Sequence, residues 1–162
     1  MRPRRLHNPK RELVMRIRRA RPSEARAQAS WIAAIEPWLS LGYKSPGLGR
    51  YLARMARAGR VLIALDGRQV VGISVRQPDF LLGQFIALLA VRPEAGGKGL
   101  GRALVARLEQ ATFRTHRWIY VSSDSKNSVA ARFYRKLGFT RLARIPDLIL
   151  DGRTEILWRK GR

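Results

Sequence analysis

The stretch V-R-P-E-A-G-G-K-G-L-G-R-A-L-V-A-R, residues 91–107, decides the fold of this chain. An apolar run at 85–91 enters it, four glycines crowd its centre, and apolar residues at helical spacing follow. This order predicts a strand, a glycine-rich turn and the start of a helix. A helix that opens directly from such a loop points unpaired N–H groups and the positive end of its dipole at one spot. The stretch therefore predicts a binding site for a phosphate or pyrophosphate group.

The composition limits the chemistry that the chain can perform. Its 162 residues and 46% apolar content are typical of a single globular domain. The chain contains no cysteine, which excludes disulfides, thiolate metal sites and a cysteine nucleophile. Its two histidines, His7 and His116, are too few and too far apart in sequence to indicate a metal cluster or a Ser–His pair. We therefore expect no metal site.

A formal net charge of +22 is the most unusual compositional feature. Such a charge favours polyanions, and we expect non-specific polyanion binding at low salt. The arginines are spread along the chain without interleaved aromatic residues, so we interpret them as solvated surface charges and predict no dedicated nucleic-acid site. No apolar stretch approaches the ~18 residues of a membrane span, and the basic start lacks the apolar segment of a signal peptide. We expect a cytoplasmic protein with no membrane partner.

Residue patterns and turn signals divide the chain into a basic, flexible tail at 1–13 and one folded domain at 14–162. The predicted strands are 14–20, 61–65, 70–75, a strand ending at Val91, 118–122, 140–145 and 154–159. The predicted helices are 22–35, 47–60, 99–113 and 128–137. We predict that Pro78 ends its strand, that Asn127 or Ser125 caps the last helix, and that Gly138 stops that helix in a left-handed conformation.

A second motif, N-S-V-A-A-R-F-Y-R-K-L-G-F at 127–139, follows the glycine loop by one helix and one strand. Together the two motifs resemble those of the GNAT superfamily of acetyl-CoA-dependent N-acetyltransferases. The first is V-R-P at 91–93, continued by G-G-K-G-L-G at 96–101, and the second matches at Asn127, Ala130, Tyr134, Lys136, Gly138 and Phe139. The resemblance covers the chain from about Met15 to Lys160. Gly96 departs from the family, which usually has Gln or Arg there to contact pyrophosphate.

This resemblance implies an α/β (α+β) fold with one mixed, mostly antiparallel central sheet of six to seven strands. The sheet would be flanked by about four helices and splayed in the middle to hold CoA. The resemblance also implies acetyl-CoA as co-substrate, with its pantetheine arm along one strand and its pyrophosphate at the glycine loop. The residues implied in cofactor binding are Leu89, Ala90, Val91, Gly96, Gly97, Lys98, Gly99, Leu100, Gly101, Arg102, Asn127 and Tyr134.

The resemblance also implies that Tyr134 is the general acid that protonates the departing thiolate. A tyrosine with an ordinary pKa of about 10 stays protonated at neutral pH and is a competent proton donor. In isolation Tyr134 could equally be a core aromatic residue on its helix. The general base stays open, and the acidic residues that are candidates for it are Asp124, Glu36 and Asp79. Gln84 could only orient a water, and the position that is Glu in some family members is Ser122 here.

The acceptor amine is expected to bind at 35–51 and 145–153, where a cationic group would meet acids and aromatic rings. The residues proposed for this site are Glu36, Trp38, Tyr43 and Gln84. The expected reaction is direct attack of a primary amine on acetyl-CoA in a ternary complex, the amine belonging to a small molecule, a protein N-terminus or a lysine. The alternative is a basic RNA- or ribosome-associated binding protein on the same fold with weak or no transferase activity. An acyl group other than acetyl, and a homodimer, stay open.

Overall fold

The computed structural model describes residues 15–162, so the predicted tail at 1–13 and the first residue of the predicted first strand lie outside the described residues. The strands are β1 (Met15–Arg19), β2 (Val61–Asp66), β3 (Gln69–Phe80), β4 (Gly83–Val91), β5 (Trp118–Asp124), β6 (Thr140–Pro146) and β7 (Thr154–Gly161). The helices are α1 (Pro22–Arg26), α2 (Ala29–Ala33), α3 (Ser45–Arg57), α4 (Leu100–Thr112) and α5 (Ser128–Lys136). A 3₁₀ turn at Pro93–Ala95 joins β4 to the glycine loop.

All seven strands form one sheet in the order β1-β2-β3-β4-β5-β7-β6. Every neighbouring pair is antiparallel except β4 and β5, which are parallel. The chain therefore has to cross over between β4 and β5, and α4 makes this crossover, as parallel neighbours require. The mixed, mostly antiparallel sheet predicted from the sequence is confirmed.

The two faces of the sheet are covered by different helices. Ile63 and Ile73, both fully buried, pack with Ile32 and Leu52 from α1–α3 on one face. The alternate residue Ala64 packs on the other face with Leu104 from α4. Successive side chains of a strand point to opposite faces, so this central part of the sheet is buried on both sides. Its rigid strand ends can therefore hold a site in a fixed geometry.

Two local predictions are wrong for identifiable reasons. The single helix predicted at 22–35 is interrupted because the Gln28 side-chain amide donates to the Glu24 carbonyl oxygen at 2.8 Å. A side chain that occupies a helical carbonyl competes with the helix itself. Pro78 does not end its strand either, since β3 runs through it to Phe80. The β3–β4 register is interrupted between Gln77 and Phe80, where a residue without an N–H costs no ladder hydrogen bond.

The predicted signals around α5 are confirmed. Asn127 is the residue that caps the helix, with its Oδ1 accepting the Ala130 N–H at 3.0 Å. Gly138 follows the helix with a φ of +87°, and Phe139 packs back against Tyr134 at a ring-centroid distance of 5.6 Å. Across residues 15–162, no helix combines the length and apolar character needed to span a membrane. Within the same residues there is no group of three or more His, Asp or Glu that could hold a metal ion.

Candidate active site

The sheet opens between β4 and β5. The two strands pair only over Gly83–Ile86 and Trp118–Val121. Beyond this point β5 stays paired with β7 as far as Asp124, and β4 stays paired with β3 as far as Val91. Ala87 is an extra residue in β4, because Val75 pairs with Leu88 and the next residue of β3 pairs with Ile86. Such a bulge bends its strand, so the two parallel strands diverge directly after it.

The opening leaves backbone polar groups of β4 without a strand partner. The Arg92 N–H donates to the Val71 carbonyl of β3 at 2.8 Å, and backbone groups alternate in direction along a strand. Ala90 therefore also directs its backbone groups at β3, while the N–H and C=O groups of Leu89 and Val91 face the opening. Unpaired backbone groups in a cleft require hydrogen-bond partners. An extended molecule carrying amide groups can supply them as an added strand.

The glycine loop leads into an uncapped helix terminus. Gly97 and Gly99 have φ values of +73° and +78°, which only glycine adopts without strain. The first intrahelical bond of α4 runs from the Ala103 N–H to the Gly99 carbonyl at 3.0 Å. The N–H groups of Leu100, Gly101 and Arg102 therefore have no partner within the helix, and no side chain from residues 15–162 caps it. This is the geometry that binds phosphate groups.

Gly101 has a different role from the other loop glycines. A Cβ at this position would lie 3.2 Å from the Phe133 ring of α5, so glycine allows α4 and α5 to approach each other. At Gly96 the φ is ordinary, −62°, and a Cβ would meet only the Pro93 carbonyl oxygen at 3.2 Å. The departure from the family pattern at Gly96 therefore removes a side chain at a backbone conformation that other residues also adopt.

A cavity of about 520 Å³, the large cavity, connects the β4 opening to the glycine loop. Of the residues implied in cofactor binding, those that line it are Leu89, Ala90, Val91, Gly96, Gly97, Gly99, Leu100, Gly101, Arg102, Asn127 and Tyr134. Lys98 is exposed and does not line it. Glu36 and Trp38 also line the large cavity. The structure therefore brings both sequence motifs together around one space.

Two further cavities adjoin the large cavity. The central cavity, about 150 Å³, lies beneath the opening and shares Leu89, Asn127 and Tyr134 with the large cavity. The side cavity, about 460 Å³, is lined by Trp38, Tyr43, Lys44, Gly47, Leu48, Tyr51, Ala87 and Leu88. Trp38 lines all three cavities, and Tyr43 lines the central and side cavities. A molecule in the large cavity and one in the side cavity would therefore meet at the central cavity.

Tyr134 lies where the large and central cavities meet. Its ring packs in the core between Phe133, Phe139 and Trp158, and the residue is only 6% exposed. The residue lines both cavities. Burial, and to a lesser extent the charge of Glu155, raise the pKa of Tyr134. Tyr134 is thus both a core aromatic residue and a protonated donor at the cavity surface.

Asp124, a candidate base, is held by two groups. Its Oδ1 accepts the Lys126 N–H at 2.8 Å, and its Oδ2 accepts Arg153 Nε at 2.6 Å. Burial alone would raise the pKa of Asp124, but these hydrogen bonds and charges outweigh it and lower the pKa. A carboxylate stabilised in its charged form in this way is a poor proton acceptor. Asp124 lines the central cavity, and its role as the base stays a prediction that this lowered pKa disfavours.

The other candidate residues lie elsewhere. Glu36 is exposed on the wall of the large cavity, where its carboxylate accepts the Ser40 N–H at 3.3 Å, and it does not line the central cavity. Asp79 lies in the β3–β4 hairpin with a φ of +60°. Gln84 is buried, and its Oε1 accepts the Thr112 hydroxyl at 3.2 Å, so it does not line any of the three cavities. None of these three residues adjoins the Tyr134 hydroxyl through the central cavity.

Glu155 is a site residue that the sequence analysis missed. It lies on β7 opposite Asp124, is 4% exposed and lines the central cavity with Tyr134. Burial and the neighbouring Asp124 raise the pKa of Glu155, while Ser122 and Arg153 favour its charged form. A buried carboxylate with a raised pKa in a cleft is characteristic of functional sites. The sequence signal was an acid directly before the apolar run at 156–158 of the last strand.

Residues 57–141 match the model of the acetyltransferase (GNAT) domain, which is more than half of the chain. An uncharacterized N-acetyltransferase of Methanocaldococcus jannaschii is 35% identical over 100 residues, covering 60% of this chain. N-alpha-acetyltransferase 30 of Schizosaccharomyces pombe is 30% identical over 95 residues, covering 56% of this chain. In both alignments the chain spans 63% of the length of the relative.

A solved structure extends the similarity to nearly the whole fold. The protein yncA of Salmonella typhimurium, solved with its cofactor acetyl-CoA, superposes with a TM-score of 0.68 at 21% sequence identity. The superposition covers 91% of this chain and 93% of that protein. The matched domain model includes the β4 opening, the glycine loop and α5, which are the elements that surround the large cavity. The chain therefore belongs to the GNAT family of acetyltransferases.

Proposed function

We propose that this protein transfers an acetyl group from acetyl-CoA to the α-amine of a polypeptide N-terminus. The observation that carries the proposal is the opening of the sheet after Ile86 and Val121, which exposes unpaired backbone groups beside the glycine loop and Tyr134. The relative from Schizosaccharomyces pombe, named an N-alpha-acetyltransferase, supports this class of acceptor. The yncA structure with acetyl-CoA supports the acyl donor.

The lining of the large cavity offers partners for two parts of CoA, the pantetheine arm and the pyrophosphate. The backbone groups of Leu89 and Val91 would pair with the amides of the pantetheine arm. The N–H groups of Leu100, Gly101 and Arg102 would bind the pyrophosphate, and the Arg102 guanidinium adds positive charge at the same terminus. These backbone donors account for phosphate binding without a side chain at Gly96.

The Leu89 backbone and Tyr134 act on two different atoms of the thioester, the carbonyl oxygen and the sulfur. Bound acetyl-CoA supplies a thioester whose carbonyl accepts the amine and whose sulfur leaves. The Leu89 N–H, which faces the opening, donates to the carbonyl oxygen as negative charge develops there. The Tyr134 hydroxyl holds the proton that the departing sulfur takes, because burial keeps it protonated at neutral pH.

Glu155 is the general base of the proposal. The incoming amine is an ammonium ion in water and has to lose a proton before it can attack. The Glu155 carboxylate lines the cavity where the two substrates meet, and its raised pKa brings it closer to that of the amine. An α-ammonium group has a pKa of about 7.7–8.0, whereas that of a lysine is about 10.4. Removing the α-ammonium proton is therefore easier by about 3.5 kcal/mol, which favours an α-amine acceptor.

The side cavity supports the same choice of acceptor. Trp38, Tyr43 and Tyr51 give it an aromatic wall, and Lys44 is its one charged lining residue in the described part of the chain. An aromatic wall suits the first side chain of a peptide. The net charge of +22 also opposes the approach of a lysine-rich tail. A peptide with neutral or acidic residues at its N-terminus is not repelled in this way.

The test is a matched peptide panel assayed by CoA release and mass spectrometry. Each peptide is supplied with a free N-terminus and, separately, with a blocked N-terminus and one internal lysine. We expect acetylation of the free N-termini and rates at least about tenfold lower for the blocked peptides. Equal or faster acetylation of the internal lysine would contradict the α-amine acceptor while leaving the acetyltransferase reaction standing. Release of CoA only with small amines would replace the peptide with a small-molecule acceptor.

A further inference from the structure

A second polar cavity lies on the α4 side of the sheet and shares no lining residue with the large, central or side cavities. Its volume is about 260 Å³, and we call it the arginine pocket. Its charged lining residues come from β1, β3, α4 and the segments flanking β2 and α4: Arg18, Arg19, Arg60, Arg76, Arg107 and Arg114. The chain therefore folds six guanidinium groups from distant parts of the sequence around one space.

The protein does not neutralise this charge. Among residues 15–162, no carboxylate lines the arginine pocket. Of its six arginines, Arg18 alone forms an ion pair within residues 15–162, through a bidentate contact with Glu24 at 2.8 and 2.9 Å. Arg76 reaches a neutral oxygen instead, Gln84 Oε1 at 3.3 Å. Five guanidinium groups around the cavity thus lack an anionic partner in the described part of the chain.

Arg76 shows that the arrangement is more than a collection of solvated charges. The residue is half-buried, and its N–H donates to the Arg60 carbonyl at 3.0 Å, which holds the two residues side by side. Burial and the charges of Arg19 and Arg60 lower the pKa of Arg76. Burying a charge without a partner is costly, and placing like charges around it adds to that cost. A bound anion would offset both costs.

We propose that the arginine pocket binds a ligand with at least two adjacent phosphate groups, either a free polyphosphate or phosphates carried by an RNA. Arginine forks bind phosphate oxygens in a bidentate manner, which makes phosphate the best match for this lining. A phosphomonoester carries about −1.5 to −2 charges at neutral pH and a phosphodiester of RNA about −1, so two or more phosphate groups are needed against five guanidinium groups. The cavity is smaller than the ~300–1,000 Å³ of ordinary small-molecule sites, which favours a compact anion.

The experiment is calorimetric titration of the full chain at about 0.15 M salt with two separate probes, sodium triphosphate and a single-stranded oligoribonucleotide. Two paired variants remove pocket charges, Arg60→Gln with Arg76→Gln, and Arg107→Gln with Arg114→Gln. The matched control, Arg141→Gln with Arg144→Gln, removes the same charge from exposed positions of β6, at the opposite edge of the sheet from β1. None of the six substitutions touches the glycine loop.

We expect saturable binding of at least one probe, weakened about tenfold or more in both pocket pairs and by less than about twofold in the control. The probe that binds wild type more tightly identifies the source of the phosphates. Equal weakening in the control would show that bulk charge alone binds the probe and would overturn the proposal. Absence of saturable binding by both probes would also overturn it. If either pocket pair fails to fold, the other decides.

Discussion

Tyr134 and Glu155 line the same central cavity, and the charge of Glu155 adds to burial in raising the pKa of Tyr134. The two groups come from different parts of the chain, Tyr134 from α5 and Glu155 from β7. Burial also raises the pKa of Glu155, so the tyrosine keeps its proton while the carboxylate becomes a better acceptor than an exposed glutamate. Titratable groups with opposite tasks in one cavity are characteristic of acid–base catalysis.

Replacing the acid separates chemistry from binding. We expect Tyr134→Phe to lower kcat about 100-fold, since it removes only the proton donor for the leaving sulfur. Because the phenyl ring keeps the core contacts, the dissociation constant for acetyl-CoA should change by less than about twofold in calorimetry. Tyr120→Phe is the matched control, because the Tyr120 hydroxyl donates to the Leu81 carbonyl away from the cavities and should not affect kcat. Unchanged turnover in Tyr134→Phe would eliminate Tyr134 as the acid.

Replacing the base changes the pH profile. The Glu155 carboxylate has to be charged to accept a proton, so kcat/KM should rise with pH through the raised pKa of Glu155. In Glu155→Gln we expect this rise of kcat/KM with pH, the acidic limb of the profile, to disappear and kcat to fall about 100-fold at neutral pH. Asp79→Asn, in the β3–β4 hairpin, should keep both the limb and the rate. A wild-type limb that persists in Glu155→Gln would assign the base elsewhere.

The same carboxylate should limit stability at neutral pH. Because the folded-state pKa of Glu155 is above its unfolded value, the folded state binds the proton more tightly than the unfolded state. The stability contributed by protonated Glu155 is therefore lost as pH rises from its unfolded-state pKa through its raised folded-state pKa. We expect the melting temperature of Glu155→Gln at pH 7 to equal or exceed that of wild type. A clear decrease would mean that the charged carboxylate stabilises the fold.

Glu24 should show the opposite pH dependence. Its hydrogen bond with Arg18 and the Arg21 N–H lower its pKa to about 2. The folded state thus binds fewer protons than the unfolded state, and the stabilisation by Glu24 is present above the ordinary glutamate pKa and lost as pH falls toward about 2. We expect Glu24→Gln to cost about 1–3 kcal/mol at pH 7 and progressively less in acid. Glu94→Gln is the control, because its 3.8 Å pair with Arg92 is exposed and should contribute little.

The glycine loop can be tested with a matched pair of glycines. Gly99 and Gly67 both have positive φ values, +78° and +59°, and both have open space where a Cβ would lie. Alanine at either position should therefore cost about 1–2 kcal/mol of stability through backbone strain. Only Gly99→Ala should also weaken acetyl-CoA binding, since Gly99 opens α4 at the proposed pyrophosphate site. Equal acetyl-CoA affinity in the two variants would separate the loop from the cofactor.

Local signals in the sequence predicted the cofactor half of the site. The glycine loop, the Asn127 cap and the Gly138 stop depend on residues a few positions apart, so their pattern is visible in the chain. The single helix predicted at 22–35 is wrong because the side-chain amide of Gln28 competes with the helix. The strand end predicted at Pro78 is wrong because an interruption of the β3–β4 register accommodates the proline.

Glu155 and the arginine pocket could not be predicted in the same way. Glu155 reaches the central cavity only because β7 pairs with β5 in a register that places it opposite Asp124. Arg60 and Arg76 meet because β2 and β3 are neighbours and because a backbone hydrogen bond joins the two arginines. These contacts depend on tertiary pairing, and the spread of arginines along the sequence pointed to solvated charge.

Calorimetric titration of the wild-type chain with acetyl-CoA tests the central claim most directly. The opening beside Leu89 and Val91, joined to the unpaired N–H groups of α4, should bind acetyl-CoA at one saturable site with a stoichiometry of about one, and CoA should compete for that site. Binding should persist at about 0.15 M salt, because backbone hydrogen bonds carry much of it. Absence of saturable binding, together with salt-sensitive RNA binding, would contradict the account and favour a basic RNA-binding protein on this fold.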